Sequence, residues 1–290
     1  MTIQDCFTSK TNCLTIYDDF NYIFSKDRDL EYHLLCEEIS RDTGINKDYI
    51  YSSVNNSYLS HWHKIDDEWF YFKCANDYYH LIRELIGEVI SEYYGLDTVH
   101  YKLVKLQTKK DEKYGIISKN FYENDYNYKR VWDYGINLRR GFSVFEELWM
   151  MCPNLENYSY LSFDLKRLMI RDFYSSEVDR MAYNFLLKVK DSKIRLAPLF
   201  DYSLSFDSVH PYYKSEIGEI NVNDRECVVK MRDDYFFQML LNHLMDSKME
   251  EFLNEVETRH NITIPGDDCM YFTIYDQDMK KLIHSKKLIK

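Results

Sequence analysis

Apolar residues recur at helical spacing over 29–40, where Leu30, Leu34, Leu35 and Ile39 form one stripe and Gly44 and Asn46 stop it. The period then changes to two. Residues 58–65 alternate loosely, Asp66-Asp67 offers a turn, and Trp69-Phe70-Tyr71-Phe72-Lys73 returns, which predicts a hairpin. Asn76 or Asp77 can cap a helix reaching Tyr94, with Leu81, Leu85, Ile86, Val89, Ile90 and Tyr93 inward and Gly95 as its stop. Strands are expected over 99–107 and 114–118, about the polar turn Lys109-Lys110-Asp111-Glu112.

From about residue 122 the pattern becomes helical. Ser143-Val144-Phe145-Glu146 is a capping box whose short helix Pro153 has ended. A second helix spans 161–173, with Leu165, Leu168, Met169 and Phe173 on one face. A hairpin follows over 185–189 and 194–200, around Lys190-Asp191-Ser192. Further helices are predicted over 234–245, over 247–260 with the capping box Ser247-Lys248-Met249-Glu250, and from Asp276 onward. The order predicts an α+β chain of two lobes. Residues 51–121 make a small β-rich N-lobe and residues 122–290 a larger, mostly helical C-lobe, with residues 1–50 an N-terminal extension packed on the N-lobe.

The 290 residues suit such an arrangement, and 45% hydrophobic with 17% aromatic content is enough for a sizeable core. A net charge of -11 argues against broad electrostatic binding of nucleic acid. The 7 cysteines are odd in number and scattered, with no C-x-x-C pair, which disfavours a disulfide framework or a zinc cluster and points to reduced thiols in a cytoplasmic protein. Neither a signal peptide nor a membrane-length apolar run is evident, so no membrane partner is expected. His61 and His63 alternate on a strand and read as an exposed face.

The chemistry concentrates in two segments. Asp179 is followed by Asn184 in a loop, and Leu196-Ala197-Pro198-Leu199-Phe200 runs as an apolar strand into Asp201. A phosphotransferase needs these groups in this order. One carboxylate orients or deprotonates the attacking hydroxyl; an amide oxygen and a second carboxylate hold magnesium on the phosphates. Lys73 ends an aromatic strand, so its ammonium can reach phosphate oxygens, and Glu84 lies on the following helix, where a carboxylate can hold that lysine as in protein kinases.

These residues carry a resemblance. Arg83-Glu84-Leu85-Ile86-Gly87 through Tyr94-Gly95-Leu96, Ile117-Ser118-Lys119-Asn120-Phe121, Asp179-Arg180 through Asn184, and Leu196 through Asp201 resemble the HipA-like serine/threonine kinases. The likeness is strongest to the shorter members related to phosphatidylinositol 3/4-kinases, and it covers about residues 50 to 260. It implies a two-lobed protein-kinase-like fold and an ATP- and Mg2+-dependent serine/threonine protein kinase. By that resemblance Asp179 is the catalytic base, Asn184 and Asp201 are the magnesium ligands, and Lys73 with its partner Glu84 contacts phosphate. The segment containing Lys119 is then the hinge for adenine, and Ser52, Ser53, Asn55 and Asn56 belong to the phosphate loop. The resemblance also implies a protein substrate with a Ser or Thr acceptor and an antitoxin or other regulator as partner.

Two positions depart from the family's pattern. Met181 stands where the family writes His, and the stretch Ser52-Ser53-Val54-Asn55-Asn56-Ser57 has no glycine. They keep open a pseudokinase or nucleotide-binding interaction module. A kinase for a small molecule or lipid is the third alternative.

Overall fold

The structure is a computed structural model that describes residues 2–8, 10–18, 29–53, 60–75, 77–108, 112–123, 125–130, 159–177, 186–191, 193–202, 205–206, 231 and 233–285, with the backbone alone at 18, 29–32, 51–53, 108, 159 and 285. The described residues form a mixed α+β fold in two compact units. One holds residues 1–81, 99–126 and 259–262, and the other residues 82–98, 127–258 and 263–290.

The first unit is built on a five-stranded sheet in the order β1-β4-β5-β3-β2. Its strands are β1 (Cys13–Asp18), β2 (Ser60–Ile65), β3 (Glu68–Cys74), β4 (Tyr101–Thr108) and β5 (Glu112–Lys119). The expected hairpin is present as β2 and β3, antiparallel, with Asp66 and Asp67 both at positive φ, the backbone that twists a two-residue turn to match its strands. The pairs β3–β5 and β4–β5 are also antiparallel, whereas β1 lies parallel to β4. One sheet face packs Phe72, Val104, Leu106 and Ile117. A separate cluster joins Trp69 to Cys36, Ile39, Ile45 and Ile50 from α1 (Asp29–Thr43) and α2 (Lys47–Ser53). The Trp69 indole N–H needs an acceptor once buried and finds Asp42 Oδ2 at 3.0 Å. The same oxygen takes the Lys64 ammonium at 2.9 Å, and that bond, with the indole's, holds the Asp42 carboxyl below its ordinary range.

Several expectations for this unit are corrected. The buried stripe of α1 is Cys36, Ile39 and Thr43 with Leu35 half-buried, while Leu34 is 57% exposed. The stripe is thus turned toward the positions that reach Trp69. His61 and His63 do not form an exposed face; their rings, 4.3 Å apart, are half-buried against Phe72. Strand β1, whose apolar residues do not alternate, and helix α2, only seven residues long, were not among the expected elements.

Helix α3 (Tyr78–Tyr93) crosses the boundary between the units, which falls after Leu81. It forms where expected. Asp77 Oδ1 accepts the His80 N–H at 2.8 Å, and Gly95 at φ 67 closes the other end as Leu96 N donates to Ser91 O. Leu81, Leu85, Ile86, Val89 and Ile90 are buried as predicted.

The second unit holds a three-stranded antiparallel sheet, β6 (Asn127–Arg130), β7 (Leu186–Lys190) and β8 (Lys193–Leu196), and the helices α4 (Ser159–Ser175), α5 (Tyr235–Asp246), α6 (Met249–His260) and α7 (Gly266–Ser285). The stretch after 122 is therefore not wholly helical, since β6 adds a strand beside β7. Asp234 caps α5 through a bond from Phe237 N at 2.9 Å. The Ser247 hydroxyl donates to Leu244 O and closes α5, so α6 begins only at Met249. The last helix begins ten residues ahead of the expected Asp276, at Gly266, because the Pro265 carbonyl accepts the N–H groups of Asp268 and Cys269 and starts the turn. The predicted helix opened by Ser143 lies outside the described residues. Among the described residues, no helix is long and apolar enough to cross a membrane. The described cysteines Cys6, Cys13, Cys36, Cys74 and Cys269 are free thiols.

Candidate functional site

The site is built where β8 ends. Asp164 of α4 anchors that strand: Arg195 grips its two oxygens at 2.9 and 3.1 Å, and Leu196 N donates to one of them. This pairing raises the Arg195 pKa further, so its charge is permanent. Beyond β8, Thr98 and Leu199 form an isolated parallel bridge. Leu199 N donates to Asp97 O, and the Thr98 hydroxyl donates to Leu199 O. Two residues later comes Asp201, at φ 63. That left-handed backbone is open to Asp and Asn at modest strain but costly for most side chains.

Tyr202 holds Asp201 in this conformation. Its backbone N–H donates to Glu84 Oε2 at 2.9 Å, and its hydroxyl lies 2.6 Å from Thr98 Oγ1 and 3.2 Å from Ser91 Oγ. Its ring rests on α3 at Gly87, where an added Cβ would stand 2.4 Å from Tyr202 Cγ. Only glycine lets the ring in, and this explains a residue otherwise unfavourable in a helix interior. Gly87→Ala is expected to destabilise the protein by about 1–2 kcal/mol, because overpacking against the root of an anchored ring outweighs alanine's helix propensity. Denaturant titration checks this, and unchanged stability would mean the ring is not anchored.

Glu84 is 2% exposed, and its Oε2 accepts the Tyr202 N–H. Glu84 and Asp201 are thus brought to one point of the second unit. Lys73 is in the first unit, paired in register with Ile116. Next to it Gly115 permits the strands to close, since a Cβ there would stand 2.2 Å from the Lys73 carbonyl oxygen. Lys119 ends β5, and its ammonium engages Glu68. Ser52 and Ser53 form the end of α2. Asp179, Asn184, Asn55 and Asn56 lie outside the described residues.

Sequence reasoning missed the second layer around Asp201. Arg171 of α4 is fully buried, with its guanidinium carbon 4.3 Å from the centre of the Tyr202 ring. Helix α7 closes the far side of the same segments. The Tyr275 hydroxyl donates to Tyr174 O at 2.7 Å, Tyr174 donates to Asp276 at 2.7 Å, and Tyr271 donates to Phe206 O at 3.1 Å. Burial pushes the phenols of Tyr174 and Tyr275 well up, so both remain donors. The one sequence signal for this layer was Gly87 inside a helix.

No protein-family model matches the chain, and no curated protein sequence matches it. Solved structures do. The fold is similar to that of the Helicobacter pylori proinflammatory kinase CtkA, at a TM-score of 0.55 and 10% identity, over 77% of this chain and 90% of that one. The HipA chain of a Shewanella oneidensis MR-1 toxin–antitoxin complex with HipB and operator DNA matches at a TM-score of 0.48 and 11% identity, over 85% of this chain and 69% of that one. The chain is kinase-like in its fold.

Proposed function

We propose that this chain, starting from a fold shared with a kinase, is an ATP- and magnesium-dependent phosphotransferase acting on a serine or threonine of a protein. The observation that carries the reading is Asp201, held at positive φ five residues beyond the end of β8 and braced through Tyr202. A carboxylate so fixed, with an amide oxygen from Asn184, fits magnesium, which favours a few hard oxygen ligands alongside phosphates and water. When bound, the metal would neutralise charge on the β- and γ-phosphates.

The chain's own groups have distinct tasks. Asp201 and Asn184 would hold the metal, and Lys73 would supply positive charge to phosphate oxygens. Asp179 accepts the proton of the acceptor hydroxyl as its oxygen bonds to the γ-phosphorus. The bond from that phosphorus to the β–γ bridging oxygen breaks, and ADP leaves. An antitoxin-type regulator is the corresponding expectation from the HipA-like motifs.

A second reading, a nucleotide-binding module without catalysis, is favoured by the glycine-free stretch from Ser52, whose first two residues are helical. Incubation of the protein with γ-labelled ATP, with and without Mg2+, in the presence of lysate tests both. Magnesium-dependent label on protein is the expected result. Bound nucleotide without transfer selects the module, and label confined to small molecules selects a metabolite or lipid kinase.

A further inference from the structure

We propose that Arg171 is a positioning residue for Asp201, a role that rests on the phosphotransferase reading above. A guanidinium with no exposed surface is rare and must have its charge answered. Arg171 Nη1 lies 2.8 Å from Asp172 Oδ1 and 3.5 Å from Glu177 Oε2, and Nη2 donates to Ser205 Oγ at 3.2 Å. The Ser205 hydroxyl in turn donates to Glu177 Oε2 at 2.6 Å. The flat guanidinium also covers the Tyr202 ring. One side chain therefore touches both the end of α4 and the stretch that follows β8.

The sequence positions give this node its meaning. Glu177 stands two residues ahead of Asp179, and Tyr202 directly follows Asp201. Backbone bonds run in parallel with the side-chain node: Glu177 N donates to Asp172 O and Phe206 N to Ser175 O. Ser176 and Phe206 both adopt positive φ to make these turns. Stability alone does not explain an ion cluster here, because well-packed apolar residues in place of a buried ion pair are often as stable or more so. A guanidinium adds direction. Its rigid fork sets Glu177 and Ser205 at fixed bearings while its face holds Tyr202, which a flexible ammonium cannot do at once.

The experiment uses the full chain, magnesium and γ-labelled ATP, with wild type, Arg171→Lys and Ser205→Ala compared. Rate, ATP KM, the half-saturating Mg2+ concentration and the thermal melt are measured. For Arg171→Lys, kcat is expected to fall about 10–100-fold and half-saturating Mg2+ to rise about tenfold, with added Mg2+ recovering part of the rate. Ser205→Ala, which removes one hydroxyl and keeps the charge, should move both quantities in the same direction by roughly three- to tenfold. It decides the matter if Arg171→Lys does not fold. Wild-type Mg2+ dependence in the folded variants, with activity lost only in proportion to unfolded protein, overturns the positioning role and leaves the phosphotransferase standing. A wild-type protein that transfers no label overturns that reading and this inference together.

Discussion

Asp201→Asn is expected to lower transfer of label from γ-labelled ATP by about a thousandfold, while the protein should melt within a few degrees of wild type. On the phosphotransferase reading, the size follows from losing one charged ligand to a metal that would contribute several kcal/mol to the transition state. Folding is spared for a reason visible in the backbone. Asparagine is nearly isosteric with aspartate and tolerates the positive φ at this position, so the Tyr202 contacts with Glu84, Thr98 and Ser91 remain. Asp201→Val is the contrasting variant, because a β-branched side chain at φ 63 is strained and should lower the melting temperature as well. A full rate in folded Asp201→Asn would remove this residue from the chemistry.

Arg171→Met carries the largest expected loss of stability, about 3–5 kcal/mol. The methionine has similar length and packs against the Tyr202 ring, so the loss is electrostatic. Asp172 and Glu177, whose side chains are 4% and 1% exposed, are left in the core without their cation. A chain of this size loses roughly 2–4 °C per kcal/mol, so the melting midpoint should drop by about 10 °C. Neutralising the carboxylates in the same protein, as Arg171→Met with Asp172→Asn and Glu177→Gln, should restore much of the difference. Denaturant titration of both variants measures it. Equal stability of Arg171→Met and wild type would show that the ion cluster is not formed in solution.

Elements with local signals were legible in the sequence. The β2–β3 hairpin announced itself by Asp66-Asp67 and helix α3 by Asp77 and Gly95 at its ends, while the apolar run expected as a strand over 194–200 is strand only to Leu196 and continues as a single bridge at Leu199. Elements defined by distant partners were not. Strand β1 lacks apolar–polar alternation and has β4 as its described partner. Leu34, expected inward, is exposed, and Cys36 is buried in its stead, because the position of Trp69, not the helix itself, decides which stripe of α1 is buried. The candidate site divides in the same way. Asp201 was recognisable from its own neighbours, whereas the bond from Tyr202 to Glu84 spans 118 positions and leaves no local trace. Arg171 was not singled out on its helix, where only Leu165, Leu168, Met169 and Phe173 were expected to face inward. Its burial follows from the acceptors that Asp172, Glu177 and Ser205 provide, and no helical period contains that information.

The parallel pairing of β1 with β4 also bears on how the chain is made. Translation delivers Cys13–Asp18 first and Leu103–Thr108 only after the β2–β3 hairpin and α3 have emerged. Antiparallel neighbours such as β4 and β5 can zip from their connecting turn, but β1 has no nearby mate and gains nothing until β4 leaves the ribosome. The sheet is therefore completed from its middle outward, with β1, which precedes the other four strands in the chain, among the last to be paired. During that interval an unpaired strand carrying Leu14, Ile16 and Tyr17 is open to pairing with other chains, the hazard that an unpaired strand edge carries.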